Sequence, residues 1–261
     1  MMIQTKLYLE YLQFKKHYKQ ILLCIFLMVY VASTLGRNLA YYRNVQGDRL
    51  KDLGFEILPE LPQHWKVISE VMIYMNHIIG ILLIFSPPLL EKNYSTILIG
   101  KRILTILTIG HMVRICMYLS TALPSPATHC LPGSTSYHPP DTLWKVFFRF
   151  STYNDLNCGD LIFSGHIFQN FSFTILTTLY ACRLYGEKFG KPLIVLQWII
   201  SMFQIIFVIA ARNHYTVDVV VGIYVAITLW MIMTKQEHLD NEELEITEQK
   251  ELISNTNSNP V

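Results

Sequence analysis

The chain has 261 residues, of which 52% are hydrophobic and 15% are charged, and its mean hydropathy is +0.32. Soluble domains carry about 25% charged residues, so this composition indicates a membrane protein. A net charge of only +2 without a long basic run gives no sign of a nucleic-acid partner, and five cysteines are too few for a disulfide scaffold.

Residues 1–20 are polar and basic and are expected to form a cytosolic N-terminus. The first apolar run, Ile21 to Leu35, follows them and stops at Gly36-Arg37. A secretory signal peptide has a similar layout, with Val31-Ala32-Ser33 as a cleavage site. The basic leader is long for a signal peptide, and this favours a retained first span.

Five further apolar segments approach the ~20 residues that a spanning helix needs. They cover residues 67–85, 103–121, 161–182, 193–211 and 217–234. Together with the first run they predict an all-α fold, a six-helix polytopic membrane bundle that occupies residues 21–234. Pro192 is expected to open the fifth helix, because proline suits the first helical position. The polar, acidic tail at 235–261 is expected to be a disordered cytosolic segment.

Six spans place both termini on one side of the membrane. Twelve of the 21 Lys and Arg residues then fall on that side and eight on the other, which modestly favours cytosolic termini. The same topology brings the start of the second, fourth and sixth spans and the end of the third and fifth to the opposite face. Ionisable residues near these ends are therefore expected to converge there, and such residues at a membrane boundary indicate function.

Two short strings carry the candidate chemistry at this face. The first is Cys-Gly-Asp-Leu-Ile-Phe-Ser-Gly-His, which ends at His166, and the second is Arg-Asn-His-Tyr-Thr-Val-Asp, which contains His214 and Asp218. The last two are four residues apart, so they lie on one face if the sixth helix begins near His214. A carboxylate that fixes one ring nitrogen leaves the other free to attack, and His166 is the expected partner acid and base.

A second group of residues is assigned to substrate and phosphate binding, namely Ser164, Arg114, Asp160, Glu70 and Tyr215. A hydroxyl and open backbone at a helix start suit phosphate oxygens, and an arginine neutralises developing charge. Simpler alternatives stay open: a structural ion pair for the arginine and the glutamate, and a helix N-cap for the aspartate.

Other polar residues have a structural interpretation. His77 and His111 lie within spans, where a histidine more often packs or bonds to another helix. Cys130 and Cys158 lie in one loop and form a disulfide if that loop faces an oxidising compartment, although geometry cannot be derived from sequence. Metal binding is not expected, because no third ligand follows the two histidines at a usual spacing.

The two strings resemble the motifs of the sphingomyelin synthase, or sphingolipid synthase, family, which is related to the lipid phosphate phosphatase superfamily. Weaker likenesses lie in the stretch from Lys101-Arg102 through Arg114 to Leu123-Pro124 and in the Pro59-to-Pro62 stretch. The resemblance covers roughly residues 55–234. It implies a six-span enzyme whose catalytic triad is His166, His214 and Asp218.

The resemblance also implies an activity. Such an enzyme moves phosphocholine, phosphoethanolamine or phosphoinositol from a glycerophospholipid to ceramide, releases diacylglycerol, passes through a phosphohistidine and needs no cofactor. Its partners are membrane lipids, and a homo-oligomer is possible. The family implies the Golgi or plasma membrane, with the site facing the lumen or the exterior.

Departures from the family patterns leave alternatives open. Ile167 stands where the animal enzymes usually have threonine, and Leu161-Ile162-Phe163 looks more like the plant-type inositol phosphorylceramide synthases. A lipid phosphatase or phospholipase C-like hydrolase would use the same histidines with water as acceptor. A transporter is disfavoured, because transporter sites usually lie at the bilayer midplane.

Overall fold

The computed structural model describes residues 2–87, 94–149 and 158–234, and these ranges contain helices and connecting segments without a strand. The helices are α1 (Met2–Phe26), a π-helical segment (Leu27–Gly36), α2 (Arg37–Tyr42), α3 (Leu53–Ile57), α4 (Val67–Phe85), α5 (Thr96–Ser120), α6 (Leu143–Phe148), α7 (Gly165–Tyr185), α8 (Glu187–Ala210) and α9 (Thr216–Thr234). The all-α membrane fold is confirmed. The tail prediction for 235–261 lies outside the described residues.

Five helices in the described chain are long and apolar enough to cross a membrane, and the expected count of six is not confirmed. The exception is α7, which is long enough but carries many polar side chains. Asn170, Ser172, Thr174 and Thr177 are all fully buried in it. Because α7 packs against α4, α5 and α8 in the centre of the bundle, these groups face protein and not lipid.

A buried polar cluster ties α7 to its neighbours. Asn76 of α4 donates its amide N–H to the Thr174 hydroxyl at 3.1 Å and to the Ser201 hydroxyl of α8 at 3.2 Å. Gln197 of α8 donates to the side-chain oxygen of Asn76. In a membrane such bonds between helices replace the hydrophobic driving force that is missing there.

The first span is longer than the apolar run predicted. A continuous helical stretch covers Lys6–Tyr42, so the basic leader and the apolar run form one element. Glu10 anchors its N-terminal end, accepting hydrogen bonds from the backbone N–H groups of Thr96 at 2.8 Å and Ile97 at 3.0 Å. These are free N–H groups at the start of α5, where a carboxylate is stabilising.

The predicted start of the fifth span at Pro192 is wrong. The helix begins at Glu187, directly after Gly186, whose φ of 75° separates α7 from α8. The apolar run reports where the helix enters lipid, whereas the helix itself begins in a polar turn. Pro192 is the sixth residue of α8, beyond the first turn, so the helix lacks the hydrogen bond that an N–H there would donate to the carbonyl oxygen of Lys188.

Candidate active site

The turn between α8 and α9 carries His214, and the connector before α4 holds this turn in place. Arg212 has a φ of 60°, in the left-handed region, and its guanidinium donates to the carbonyl oxygen of Leu58 at 2.9 Å. Asp52 accepts the backbone N–H of Thr216 at 2.8 Å and so caps α9. The geometry of the turn is therefore set by chain that lies 150 residues earlier.

Asp218 is the fully buried centre of the candidate site. Its Oδ2 accepts the ring N–H at Nδ1 of His214 at 3.1 Å and the backbone N–H of Tyr215 at 3.0 Å. Its Oδ1 accepts the backbone N–H of Ile162 at 2.8 Å. One carboxylate thus holds the ring proton of His214 on Nδ1, leaves the lone pair of Nε2 free, and joins the two sequence strings.

The segment 158–164 leads into α7 through an unusual backbone. Gly159 has a φ of 91°, and a Cβ there would lie 2.6 Å from the carbonyl oxygen of Ala40, so only glycine fits. Ile162 has a φ of 71°, which is rare for a β-branched residue. Ser164 then caps α7, since its hydroxyl accepts the N–H of Ile167 at 3.4 Å. Backbone strain of this kind concentrates at functional sites.

Arg114 of α5 holds the same segment in place through its guanidinium. Its Nε donates to the carbonyl oxygen of Phe163 at 2.9 Å, and its Nη2 forms an ion pair with Asp160 Oδ2 at 2.5 Å. A Cβ at Gly165 would lie 3.0 Å from the guanidinium carbon. The arginine is buried and committed to internal bonds, as the structural alternative in the sequence reasoning anticipated.

His166 has its own carboxylate partner. Its Nε2 lies 3.1 Å from Oε1 of Glu70, and the two side chains are 32% and 38% exposed. The rings of His166 and His214 meet edge to face with centroids 5.9 Å apart. The arrangement is therefore two neighbouring histidines, each held by a carboxylate, with the first pair partly exposed and the second buried.

Arg37, at the start of α2, is a candidate residue that the sequence reasoning missed. Burial alone would raise the pKa of Asp160, but the charges of Arg114, His214 and Arg37 together lower it. Arg37 is only partly buried, so it is a second cation near the site that retains access to solvent. No motif marked it, because it appeared in the sequence only as the residue that ends the first apolar run.

Two of the residues assigned to substrate binding make structural contacts. The Tyr215 hydroxyl donates to the carbonyl oxygen of Pro124 at 2.9 Å and accepts the N–H of Leu50 at 3.1 Å. Burial raises the pKa of Tyr215, which keeps the donating proton in place. Ser164 is fully buried as a helix cap. Both residues position the histidines, and the structure does not place either at an open surface.

A disulfide lies on the same face of the bundle. Cys130 and Cys158 are joined, with their Cα atoms 5.9 Å apart, which decides the pairing that the sequence left open. Both are buried, in a small cluster with Tyr41 and Ala127. The bridge ties the long loop after α5 to the segment that delivers Asp160 and His166.

Comparison with known proteins agrees with the motifs. Residues 157–235 match the family described as PAP2 superfamily C-terminal. A phosphatidylinositol:ceramide inositolphosphotransferase of Oryza sativa subsp. indica is 36% identical over 189 residues, which cover 70% of this chain and 56% of that protein. The phosphatidylinositol:ceramide inositolphosphotransferase 2 of Arabidopsis thaliana is 35% identical, with coverage of 70% and 59%.

A more distant relative is the human sphingomyelin synthase-related protein 1, which is 25% identical over 228 residues, or 83% of this chain and 52% of that protein. The chain spans a little over half the length of these curated relatives. The resemblance that the two strings suggested is confirmed.

Proposed function

With the chain recognised as a relative of the sphingolipid synthase family, we propose that it transfers a phospho-head-group from a glycerophospholipid to ceramide and releases diacylglycerol. One observation carries the proposal. The ring centroids of His166 and His214 lie 5.9 Å apart, and each histidine is paired with a carboxylate on the same membrane face. This is the arrangement needed by a nucleophile and an acid–base partner on either side of a phosphorus atom.

His214 is the proposed nucleophile. Its Nδ1–H is bound to Asp218, so the lone pair on Nε2 attacks phosphorus and forms the N–P bond. The bond from phosphorus to the diacylglycerol oxygen breaks as the N–P bond forms. The buried carboxylate stabilises the positive imidazole throughout, and burial strengthens that effect because water does not screen it.

His166 is the proposed acid and base. Glu70 holds its Nε2, which leaves Nδ1 as the nitrogen that exchanges protons. In the first step it gives a proton to the departing diacylglycerol oxygen. In the second step it takes the proton of the ceramide hydroxyl, whose oxygen attacks phosphorus, and the N–P electron pair returns to His214. Both steps balance without metal or cofactor.

The phosphoryl charge needs a cation that is free to meet it. Arg37 is the better candidate of the two arginines, because Arg114 is bonded to Asp160 and Phe163. We assign Arg37 to the phosphoryl oxygens and give Arg114, Asp160, Ser164 and Tyr215 the role of holding the two histidines in register. These positioning residues explain why the motif strings extend beyond the reacting groups themselves.

Phosphatidylinositol is the donor that we favour. The relatives at 35–36% identity are named inositolphosphotransferases, whereas the sphingomyelin synthase-related protein is 25% identical. The disulfide on the site's own face favours a lumenal or exterior orientation, since disulfides persist in oxidising compartments. Golgi or plasma membrane is the location consistent with that orientation.

The test uses purified protein in liposomes with fluorescent ceramide and one donor at a time: phosphatidylinositol, phosphatidylcholine or phosphatidylethanolamine. We expect a new phosphosphingolipid with phosphatidylinositol and none with His214→Ala. His64→Ala is the matched control, because His64 lies on the same face but is exposed and outside the site. Diacylglycerol release without a ceramide product would instead identify a hydrolase and contradict the proposal.

A further inference from the structure

A chain of three polar side chains lies one helical turn beneath the proposed site. Gln169 of α7 stands between His77 of α4 and His111 of α5 and bonds to both. Its Oε1 lies 3.2 Å from Nε2 of His77, and its Nε2 lies 2.9 Å from Nε2 of His111. The expectation that these two histidines form hydrogen bonds between helices is thereby confirmed. The numbers of hydrogen-bond donors and acceptors in this chain, however, are unequal.

The hydrogens of this chain can be counted. His77 Nδ1 lies 2.6 Å from the carbonyl oxygen of Ile73, and His111 Nδ1 lies 2.8 Å from that of Leu107. A carbonyl only accepts, so each Nδ1 carries the ring's proton and each neutral Nε2 is an acceptor. Gln169 offers one N–H side and one oxygen. It can therefore satisfy one histidine only, and its oxygen faces the acceptor nitrogen of the other.

The shortage of one donor does not depend on how the amide is turned. Rotating the Gln169 amide by 180° moves the contact between two hydrogen-bond acceptors from His77 to His111, but it does not remove that contact. A second proton on a histidine would supply the donor, but a charge buried among three membrane helices is costly. Within the described residues no hydrogen bond supplies this donor. A bound molecule that carries an N–H or O–H would supply it, and the partly exposed His77 is the accessible end, since His111 is buried.

Two glycines hold the rings in this arrangement. The ring of His77 packs on Phe173 at 4.6 Å between centroids, and that of His111 packs on Phe168 at 5.6 Å. A Cβ at Gly80 of α4 would clash with the ring of Phe173, and a Cβ at Gly110 of α5 would clash with the ring of Phe168. These two helices therefore approach α7 as closely as they do only because glycine stands at both positions. The acceptors are preorganised, which is what a binding site requires.

We propose that His77 Nε2 and Gln169 Oε1 form an acceptor-lipid subsite that takes an N–H or O–H of ceramide. The proposal rests on the proposed function and names the part of the substrate that is recognised. Gln169 lies three residues after His166 on one helix face, a rise of about 4.5 Å. An N–H or O–H of ceramide close to its reacting hydroxyl therefore reaches Gln169.

The chemistry of the substrates makes this subsite selective. Ceramide carries an amide N–H and a secondary hydroxyl next to its primary hydroxyl, whereas diacylglycerol carries only ester groups in those places. A pair of acceptors is satisfied by the first lipid and left unpaired by the second. Sites built to bond a particular substrate hydrogen reject the analogue that lacks it. The subsite thus favours ceramide over the product diacylglycerol as acceptor.

The test measures kcat/KM for transfer to ceramide, to 3-deoxyceramide and to N-methylceramide, in wild type, His77→Phe and Gln169→Met. With ceramide, kcat/KM of each variant should fall by roughly 5- to 150-fold, mainly through a higher KM, because one hydrogen-bond acceptor is gone. With the analogue that lacks the recognised donor, wild type and variant should differ little. His77→Asn, which restores an acceptor, should recover part of the loss, and lipid-facing Ile78→Ala is the control.

Two results would overturn the inference in distinguishable ways. If wild type transfers normally and kcat/KM of both variants falls by the same factor with all three acceptor lipids, the residues are merely structural and the proposed function stands. If wild type transfers to none of the acceptors, the proposed function fails and the subsite with it. Thermal unfolding of each variant separates misfolding from lost recognition, and Gln169→Met serves if His77→Phe does not fold.

Discussion

Replacing Asp218 with asparagine tests the geometry that joins the two halves of the site. Its Oδ2 serves two donors, His214 and Tyr215, whereas its Oδ1 serves one, Ile162. Asparagine offers only one acceptor oxygen. It will turn that oxygen toward the two donors and place its NH2 group against the N–H of Ile162.

The magnitude follows from two losses. A buried donor left without a partner costs about 1–3 kcal/mol of stability. That loss lowers the stability of the fold, whereas the second loss acts on the reaction. The charged His214 loses its carboxylate, which should remove about 3–5 kcal/mol of transition-state stabilisation, or about 10²- to 10⁴-fold in kcat at 1.36 kcal/mol per tenfold. The folded protein should persist, because the side chain keeps its volume.

The assay is head-group transfer in liposomes together with a thermal unfolding curve for each protein. Asp141→Asn is the control, because Asp141 pairs with Lys145 at an exposed site and its change should leave transfer unaltered. Activity of Asp218→Asn within threefold of wild type would refute the reasoning. It would mean that neither the tautomer of His214 nor the Ile162 turn depends on the carboxylate.

Three further predictions concern the scaffold. The pKa of Glu60 falls from 4.5 to about 2, because hydrogen bonds from Arg49 and Lys66 outweigh burial, which would raise it. Its stabilisation is therefore full above pH 4.5 and lost as the pH falls toward 2, so the difference in Tm between wild type and Glu60→Gln should shrink on acidification; a constant gap would contradict this. Reducing the Cys130–Cys158 bridge, which spans 28 residues, should lower stability by about 3–4 kcal/mol in wild type and by nothing in a double alanine variant. Gly165→Ala should push the Arg114 guanidinium aside and lower kcat with little change in Tm, whereas Gly100→Ala, whose Cβ would meet only Ile84 at 3.6 Å, should leave kcat unaltered.

Topology explains why much of the site was predictable. Successive spans reverse direction, so the ends that carry Glu70, His166 and His214 had to share one face. The contact between His214 and Asp218 was expected from their four-residue spacing, although His214 lies in the turn before α9 and not on the helix itself. These inferences depend on periodicity and on the thickness of a bilayer, and both are properties of local sequence.

The remaining features depend on contacts that local sequence does not record. The charge of Arg37 acts on Asp160 because the first helix continues past its apolar run and packs against α5. The role of Gln169 can be recognised only in the folded protein, where α4 and α5 place a histidine on either side of it. The polar face of α7 is stable only because other helices cover it, so an apolarity criterion misses that helix.

In the proposed mechanism the head group passes through His214. The most direct measurement incubates the protein with phosphatidylinositol in the absence of acceptor, then identifies modified peptides by mass spectrometry. We predict phosphoinositol on His214, more of it in His166→Ala if the second step is slowed more than the first, and its discharge to ceramide in the wild type. Steady transfer to ceramide with no adduct on His214, or undiminished transfer by His214→Ala, would contradict the account.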